Sequence, residues 1–329
     1  MKTPPPTKKI QILTIGGATQ DIFLIAKDFA PVMHDGQPFL VLPAQQKVDV
    51  PDIANQVGGG AVNAAIAFAR VGLKTACLAK VGADGAGFQI DKILKLEKVS
   101  SLLHIDKSHQ TGISVIMKGP KGEDTIFTHR GAGYEYQKRS FATDLPDSEW
   151  LYMTSLAGDV DLMGRSIVQA ALQGTRIAVN PGGLEIRKAR KLVRILRSVD
   201  VIILNQFEAA QLLGSSNDVE CFRQARRYGW HTVVITNSGT GCSVLDGSYI
   251  YRSDAYKTVS VIDRTGAGDA FGAGLIAAIA SGQSMQQAIS FAGANATSVI
   301  GYIGASIGLL RNLDVEPAPV KLTVFEATS

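Results

Sequence analysis

Six apolar runs of strand length recur between residues 10 and 239: IQILTIGG, KTACLAKVG, WLYMTS, RIAVNPGG, VDVIILN and TVVITNSG. Each is nearly continuous in Val, Ile, Leu and Ala, each ends in a turn signal, and helix-compatible sequence follows. A strand with one wet face would alternate apolar and polar residues, so runs like these belong to strands covered on both sides. Helices between the strands supply that cover, which makes the strands parallel and the class α/β, a doubly wound sheet. The 329 residues suffice for one large domain of this kind or two ordinary ones, at about 150 residues each.

Two regions interrupt the rhythm. Residues 23–56 are irregular and extended, and TGISVIMKGPKGEDTIFTHR (111–130) reads as a hairpin turning at Gly119-Pro120-Lys121-Gly122. Both are expected to form a small β-lid added to one edge of a core built from residues 8–22, 57–110 and 131–320. The first seven residues, MKTPPPT, read as a flexible tail without the apolar stretch of a signal peptide.

Composition excludes several classes. Hydrophobic residues at 46% and charged residues at 19% describe a globular chain. The net charge of +4 is small and dispersed; its densest stretch, Arg187–Arg197, fits the wet face of a helix, so nucleic acid is not an expected partner. Cys77, Cys221 and Cys242 are widely spaced and odd in number, which implies neither a disulfide framework nor a zinc motif and points to a reducing, cytoplasmic compartment. Residues 270–310 carry no charged side chain, but Ser281-Gly282-Gln283-Ser284 divides them into two buried helices, and no membrane span is expected.

The chemistry gathers in glycine-rich stretches that open helices. Thr265-Gly266-Ala267-Gly268 stands where the helix AFGAGLIAAIA begins. First-turn amides lack intrahelical acceptors, and with the dipole behind them they form an anion cradle. Asp269 in that first turn either satisfies the positive helix end or takes a proton from a hydroxyl attacking a bound phosphate. A second such stretch, GGGAVNAAIAFARVG (58–72), lets backbone approach a ligand while Asn63 offers a donor and an acceptor; an Asn near a helix start is the plainer reading. Val81–Gly87 is a third glycine-rich turn.

Taken together these elements resemble the PfkB/ribokinase family of carbohydrate and nucleoside kinases. Gly58-Gly59-Gly60-Ala61-Val62-Asn63 matches the family's first signature and Asp263-Arg264-Thr265-Gly266-Ala267-Gly268-Asp269 its second. Between them Asn205-Gln206-Phe207-Glu208 matches an N-x-x-E element, and Thr111-Gly112 with its hairpin matches the lid. The resemblance spans nearly the whole chain in family order, and implies a ribokinase-like three-layer α/β/α fold.

It further implies an ATP- and Mg²⁺-dependent phosphotransferase acting on an alcohol group. Asp269 would be the catalytic base, and the amides of Gly266, Ala267 and Gly268 the anion hole. Asn205 and Glu208 would organise phosphate and Mg²⁺, Glu208 through water. Asp21, Gly59, Gly60 and Asn63 would hold substrate hydroxyls, and Arg130 an acidic or phosphorylated substrate. Thr236, Ser238, Gly239 and Gly241 would form the nucleotide loop, with Asn295 near the adenine. Asp263 falls where some members bind a monovalent cation such as K⁺. This chain departs from the pattern at Ser238, which replaces a loop glycine, and at Gly60, where ribokinases often carry Lys.

Other classes fit less well. Gly304-Ala305-Ser306-Ile307-Gly308 satisfies G-x-S-x-G, yet all five His residues precede Ser306, the wrong order for an α/β-hydrolase. Neither a G-x-G-x-x-G closing the first strand nor a Walker motif occurs. A catalytically silent sugar-binding protein is the non-enzyme alternative. The expected acceptor is a small sugar or sugar acid; a nucleoside is the alternative, with Phe23, Phe29 and Phe39 as candidates to flank a base. The resemblance also implies a homodimer paired through the lid.

Overall fold

A computed structural model describes residues 10–119, 124–134, 144–256, 260–316 and 320–324. In chain order the strands are β1 (Ile10–Ile15), β2 (Thr19–Ile25), β3 (Val32–His34), β4 (Gln37–Phe39), β5 (Asp52–Gly58), β6 (Thr75–Gly82), β7 (Ser100–Asp106), β8 (Gly112–Lys118), β9 (Asp124–His129), β10 (Ser148–Met153), β11 (Arg176–Val179), β12 (Val201–Asn205), β13 (Thr232–Asn237), β14 (Gly241–Asp246), β15 (Tyr249–Ser253) and β16 (Val320–Val324). The helices are α1 (Gly60–Arg70), α2 (Gly85–Leu96), α3 (Val160–Leu172), α4 (Gly183–Ile186), α5 (Ala189–Ile195), α6 (Gln206–Leu213), α7 (Asp218–Arg227), α8 (Ala267–Ala280) and α9 (Met285–Val299).

All six apolar runs form strands of one ten-stranded sheet, in the order β16-β15-β14-β13-β12-β11-β10-β1-β6-β7. From β7 to β13 every neighbouring pair is parallel, and β14, β15 and β16 add an antiparallel extension. Successive residues point to opposite faces, and both faces are dry. On one, Ile12, Trp150, Tyr152 and Ile203 pack with α1, α8 and α9; on the other, Leu13, Ile15, Leu151, Met153 and Ile202 pack with α3, α5, α6 and α7. That is the three-layer α/β/α architecture the sequence implied.

A second sheet, in the order β5-β2-β8-β9, stands beside the first. β8 and β9 pair antiparallel from Ile113↔His129 to Lys118↔Asp124, as the hairpin reading expects; the turn residues 120–123 lie outside the described residues. Strand β2 pairs with both β5 and β8. The small sheet therefore starts at Thr19 and runs to Gly58, so Thr19–Ile22 and Val57–Gly58 leave the expected core for the lid. TQDIFLI buries only Asp21 and Phe23, a pattern too sparse to reveal a strand before its partners are known. Residues 23–56 are more regular than expected, with the short β3–β4 hairpin between β2 and β5.

The uncharged segment forms α8 and α9, and among the described residues no helix is long and apolar enough to cross a membrane. Small residues let the two helices touch: a Cβ on Gly274 would lie 3.1 Å from Ala292 Cα. Asn295 clamps them. Its Nδ2 donates to the Ala270 carbonyl at 2.8 Å, and its Oδ1 accepts from the Leu310 amide at 2.9 Å. At 2% exposure with both ends of its amide engaged, it has no edge left for an adenine, which corrects the nucleotide role expected of it. Asn295→Ala should leave the Leu310 amide without its partner and remove the second bond to the Ala270 carbonyl, lowering unfolding free energy by about 1–3 kcal/mol, read from denaturant midpoints.

Candidate active site

Loops at the carboxyl ends of parallel strands gather where no helix covers the sheet, the usual place for ligands in open α/β folds. Here they enclose a cavity of about 300 Å³. Gly17 follows β1, Thr154 and Ser155 follow β10, Asn180 and Pro181 follow β11, and Glu208 comes from α6. The start of α1 contributes Gly59 and Gly60, the first turn of α8 Asp269, and the small sheet side Thr19, Thr128 and Arg130.

Glycine is needed where these loops meet backbone to backbone. Gly59, at φ +90°, would carry a Cβ only 2.5 Å from the Gly17 carbonyl oxygen. A Cβ on Gly60 would meet Thr154 Oγ1 at 2.7 Å, so the space above Gly60 belongs to Thr154.

Gly266 caps α8 at φ +77° with no side-chain cap. The Ala267 amide turns back to the Arg264 carbonyl at 3.3 Å, so one of the three expected anion donors is engaged internally. Beside Gly268 the space is open, with nothing within 4 Å of a Cβ built there. Asp269 follows, and its Oδ2 accepts a hydrogen bond from Asn63 Nδ2 at 2.9 Å. Asn63 was expected on a substrate; it lies instead under the carboxylate, joining the two signature stretches 206 residues apart. Burial pushes the Asp269 carboxyl above the usual range, and the Asn63 bond pulls it partly back.

Buried polar atoms without partners cluster here. Asn63 Oδ1, Thr154 Oγ1 and Tyr152 OH have none among the described residues. Burial raises the Tyr152 phenol, and the nearby Asp269 charge adds to it. Such atoms cost about 1–3 kcal/mol each unless something pairs with them. Sites built to bind leave polar groups in this state.

Asp21, on β2, is 6% exposed and does not itself line the cavity; it accepts from the hydroxyl of Thr19, which does. Burial raises its pKa against the hydrogen bonds of Thr19 and Ser114, and the charges of Asp269 and Asp263 add to the rise. Asn205 and Glu208 cap α6 reciprocally: Asn205 Oδ1 accepts from the Glu208 amide and Glu208 Oε2 from the Asn205 amide, each at 2.9 Å. Glu208 nevertheless faces the cavity; burial raises its pKa first, then the charges of Glu185 and Asp269. Two carboxylates lining one cavity, the charge of Asp269 opposing ionisation of Glu208, fit a divalent cation. No cluster of three or more potential ligands occurs among the described residues, so Mg²⁺ would keep water and phosphate ligands, as it prefers.

The register Asn205↔Thr236 puts the expected nucleotide loop beside Asn205 on the same edge of the sheet. Ser238 and Gly239 are exposed at the β13–β14 turn, where Gly239 has φ +80°. Gly241 answers a packing need: its Cβ would lie 1.9 Å from the Ser253 carbonyl oxygen. Arg130 is exposed on the wall of the cavity.

Asp263 does not fit a monovalent cation. Its carboxylate is fully buried, with Oδ1 accepting from Lys118 Nζ at 2.8 Å and the Thr265 amide at 3.0 Å, and Oδ2 from the Gly304 amide at 2.8 Å. An ammonium from β8 already holds the position. Lys118, Thr154, Ser155, Asn180 and Glu185 were not singled out in the sequence. Glu185 is fully buried and accepts from the amides of Leu156, Gly158 and Gly182 at 2.8, 2.6 and 3.1 Å, tying together two loops of the cavity wall. No local pattern marks these residues: Lys118, Ser155, Asn180 and Glu185 meet partners distant in the chain, and Thr154 reaches the cavity only through the fold.

Comparison with known proteins agrees with this geometry. The chain is 28% identical to a ribokinase of Haemophilus influenzae over 263 residues, 75% of this chain and 82% of that one. It is 28% identical to a fructokinase of Salmonella typhimurium over 238 residues, covering 68% and 76% of the two chains. The crystal structure of adenosine kinase from Sinorhizobium meliloti shares the fold with a TM-score of 0.75 at 22% identity, over 92% of this chain and 97% of that one. The model of the pfkB family carbohydrate kinases matches residues 31–312, both helix-opening signatures included, and the chain belongs to that family.

Proposed function

We propose that this protein transfers the γ-phosphoryl group of ATP to a hydroxyl of a small sugar or sugar acid bound in the cavity, with Asp269 as the base. The observation that carries the reading is the Asp269 carboxylate, desolvated, held by Asn63 and set in the first turn of a helix whose N-terminus has no side-chain cap. A raised pKa brings a carboxylate closer to a hydroxyl's proton affinity, which is the direction a general base needs. Bound Mg²⁺·ATP supplies the phosphoryl group and the cation that spreads its charge.

The chain's own residues do the rest. Asp269 accepts the acceptor's proton, and the Gly268 amide with the helix dipole stabilises the negative oxygens of the transferring group. Glu208 is the cation's protein-side anchor through water, with Asn205 holding its carboxylate in place. Asp21, Gly59, Gly60 and the unpartnered Thr154 oxygen orient acceptor hydroxyls, and Arg130 meets an acidic end. Exposed Ser238 and Gly239, with Thr236 and Gly241 shaping their turn, border the nucleotide. The small sheet excludes water that would otherwise be the acceptor.

A sugar is favoured over a nucleoside because no aromatic side chain lines the cavity among the described residues, and Phe23 and Phe29 are buried at 0% and 3% in the small sheet and its core. Buried, unpaired Cys77, Cys221 and Cys242 support a reducing, cytoplasmic setting. Exposed Ile53, Ile126 and Phe127 on the small sheet, with Met33, Phe39 and Val41 in the connection between β2 and β5, support pairing of two copies on this side of the molecule. We take residues 19–58 and 112–129 as the lid.

ADP release with ATP and Mg²⁺, over a panel of pentoses, hexoses, sugar acids, sugar phosphates and nucleosides, tests the reading and names the acceptor. Asp269→Asn should lower kcat roughly 10³-fold with little change in acceptor affinity; an unchanged kcat would sink the assignment. Ionising Asp269 opposes folding, because its folded pKa is raised, so its stabilising contribution is lost as pH rises through that pKa. The same variant should therefore melt no lower than wild type at pH 7 in a thermal scan. For activity the sign is opposite: kcat falls as pH drops through the raised pKa. Asn63→Ala removes the bond that favours the charged form and should move that acid limb to higher pH in a kcat–pH profile.

A further inference from the structure

Lys118 is the last residue of β8, and its side chain is 4% exposed. Its Nζ lies 2.8 Å from Asp263 Oδ1 and 2.7 Å from Asp124 Oδ1 of the neighbouring strand β9. A buried ammonium is costly unless carboxylates surround it, and a buried carboxylate is costly without a cation. Each here meets the other's need. Burial works to raise the Asp263 pKa, but the Lys118 bond and the Thr265 and Gly304 amides outweigh it and hold the carboxyl below its usual range.

The ion pair stands at a junction. Through the Thr265 amide, Asp263 sets the turn that delivers Gly266 to the start of α8; through the Gly304 amide it holds the loop whose Ala305 packs on Gly266. A positive charge on Asp263 therefore steadies the turn from which the first-turn amides and Asp269 project. A mobile ion would have to be bound from solution for that purpose. The Lys118 ammonium is attached to the chain, and a tethered group acts at an effective concentration in the millimolar range or above. It carries the charge such an ion would bring and donates directly to an Asp263 carboxylate oxygen.

We infer that this protein carries its monovalent cation as a side chain: Lys118 replaces K⁺ at Asp263, so phosphoryl transfer needs no added monovalent ion. The inference rests on the kinase reading for its catalytic consequence but not for its ion chemistry. One charge thereby serves two ends, neutralising the core loop and fastening the tip of the β8–β9 hairpin to it.

The experiment compares K⁺ with choline at equal ionic strength, on the whole protein, by thermal melting and by turnover of whichever acceptor the panel names. Wild type should melt and turn over alike in the two salts. Lys118→Met, which keeps the length and loses the charge, should melt roughly 5 °C or more lower in choline, with K⁺ but not choline restoring part of the loss and part of kcat. Lys118→Gln serves in its place where the Met variant does not fold. Several-fold activation of wild type by K⁺ would overturn the inference, as would a Lys118 variant indifferent to the ion in both readouts. Melting needs no substrate, so a chain with no kinase activity at all would sink the functional reading while the ion response of the variant still decided this one.

Discussion

A parallel sheet packed by helices on both faces leaves the carboxyl ends of its central strands where loops can meet a ligand, and this protein concentrates its chemistry there. Helices take both faces of the large sheet, so the carboxyl ends of β1, β10, β11 and β12 are where the backbone turns through open space. Everything else about the site follows from that geometry. Glycines crowd the turns because loops from different strands must pass within contact distance, as Gly59 does against Gly17. The small sheet leans over the same edge and supplies the remaining wall.

Bringing loops together also brings their carboxylates together, and the molecule treats each one differently. Glu185, fully buried, takes backbone amides and a Ser155 hydroxyl, and stiffens the floor of the cavity. Asp21 takes two hydroxyls. Asp263 takes a lysine and two amides and stays ionised within the core. Asp269, Glu208 and, despite its hydroxyls, Asp21 receive only partial compensation, and their pKa values rise. Unpaired negative charge is thus left in one place, around the cavity, where a metal-bound phosphate would arrive. Stability is given up locally for reactivity, a trade common at active sites.

Asn63 links these two levels. Its helix α1 packs against α8 through small residues, which brings an amide from the first signature onto the carboxylate of the second. In sequence the two stretches read as separate glycine-rich helix starts. In three dimensions they are two halves of one device, one carrying Asp269 and the other holding its carboxylate.

Much of this was written in local patterns. Continuous apolar runs determine the parallel sheet because no one-sided strand tolerates them, and glycine followed by small residues determines uncapped helix starts because side chains there would block the amides. The glycine-rich helix starts and Asp269 in the first turn of one of them were legible for that reason, each lying within a few residues of chain, while the roles expected of them and of Asn205 and Glu208 came with the family resemblance. What lay beyond local reading depends on neighbours that only folding supplies. TQDIFLI became a lid strand once β5 and β8 flanked it; Asn295 turned out to be a clamp because Ala270 and Leu310 sit on either side of it. Lys118, a charge in a hairpin, was matched to Asp263 across 145 residues. Secondary structure and helix-end chemistry are short-range and sit in the sequence itself, whereas the pairing of buried charges is settled by which desolvated groups the tertiary fold leaves within reach of each other.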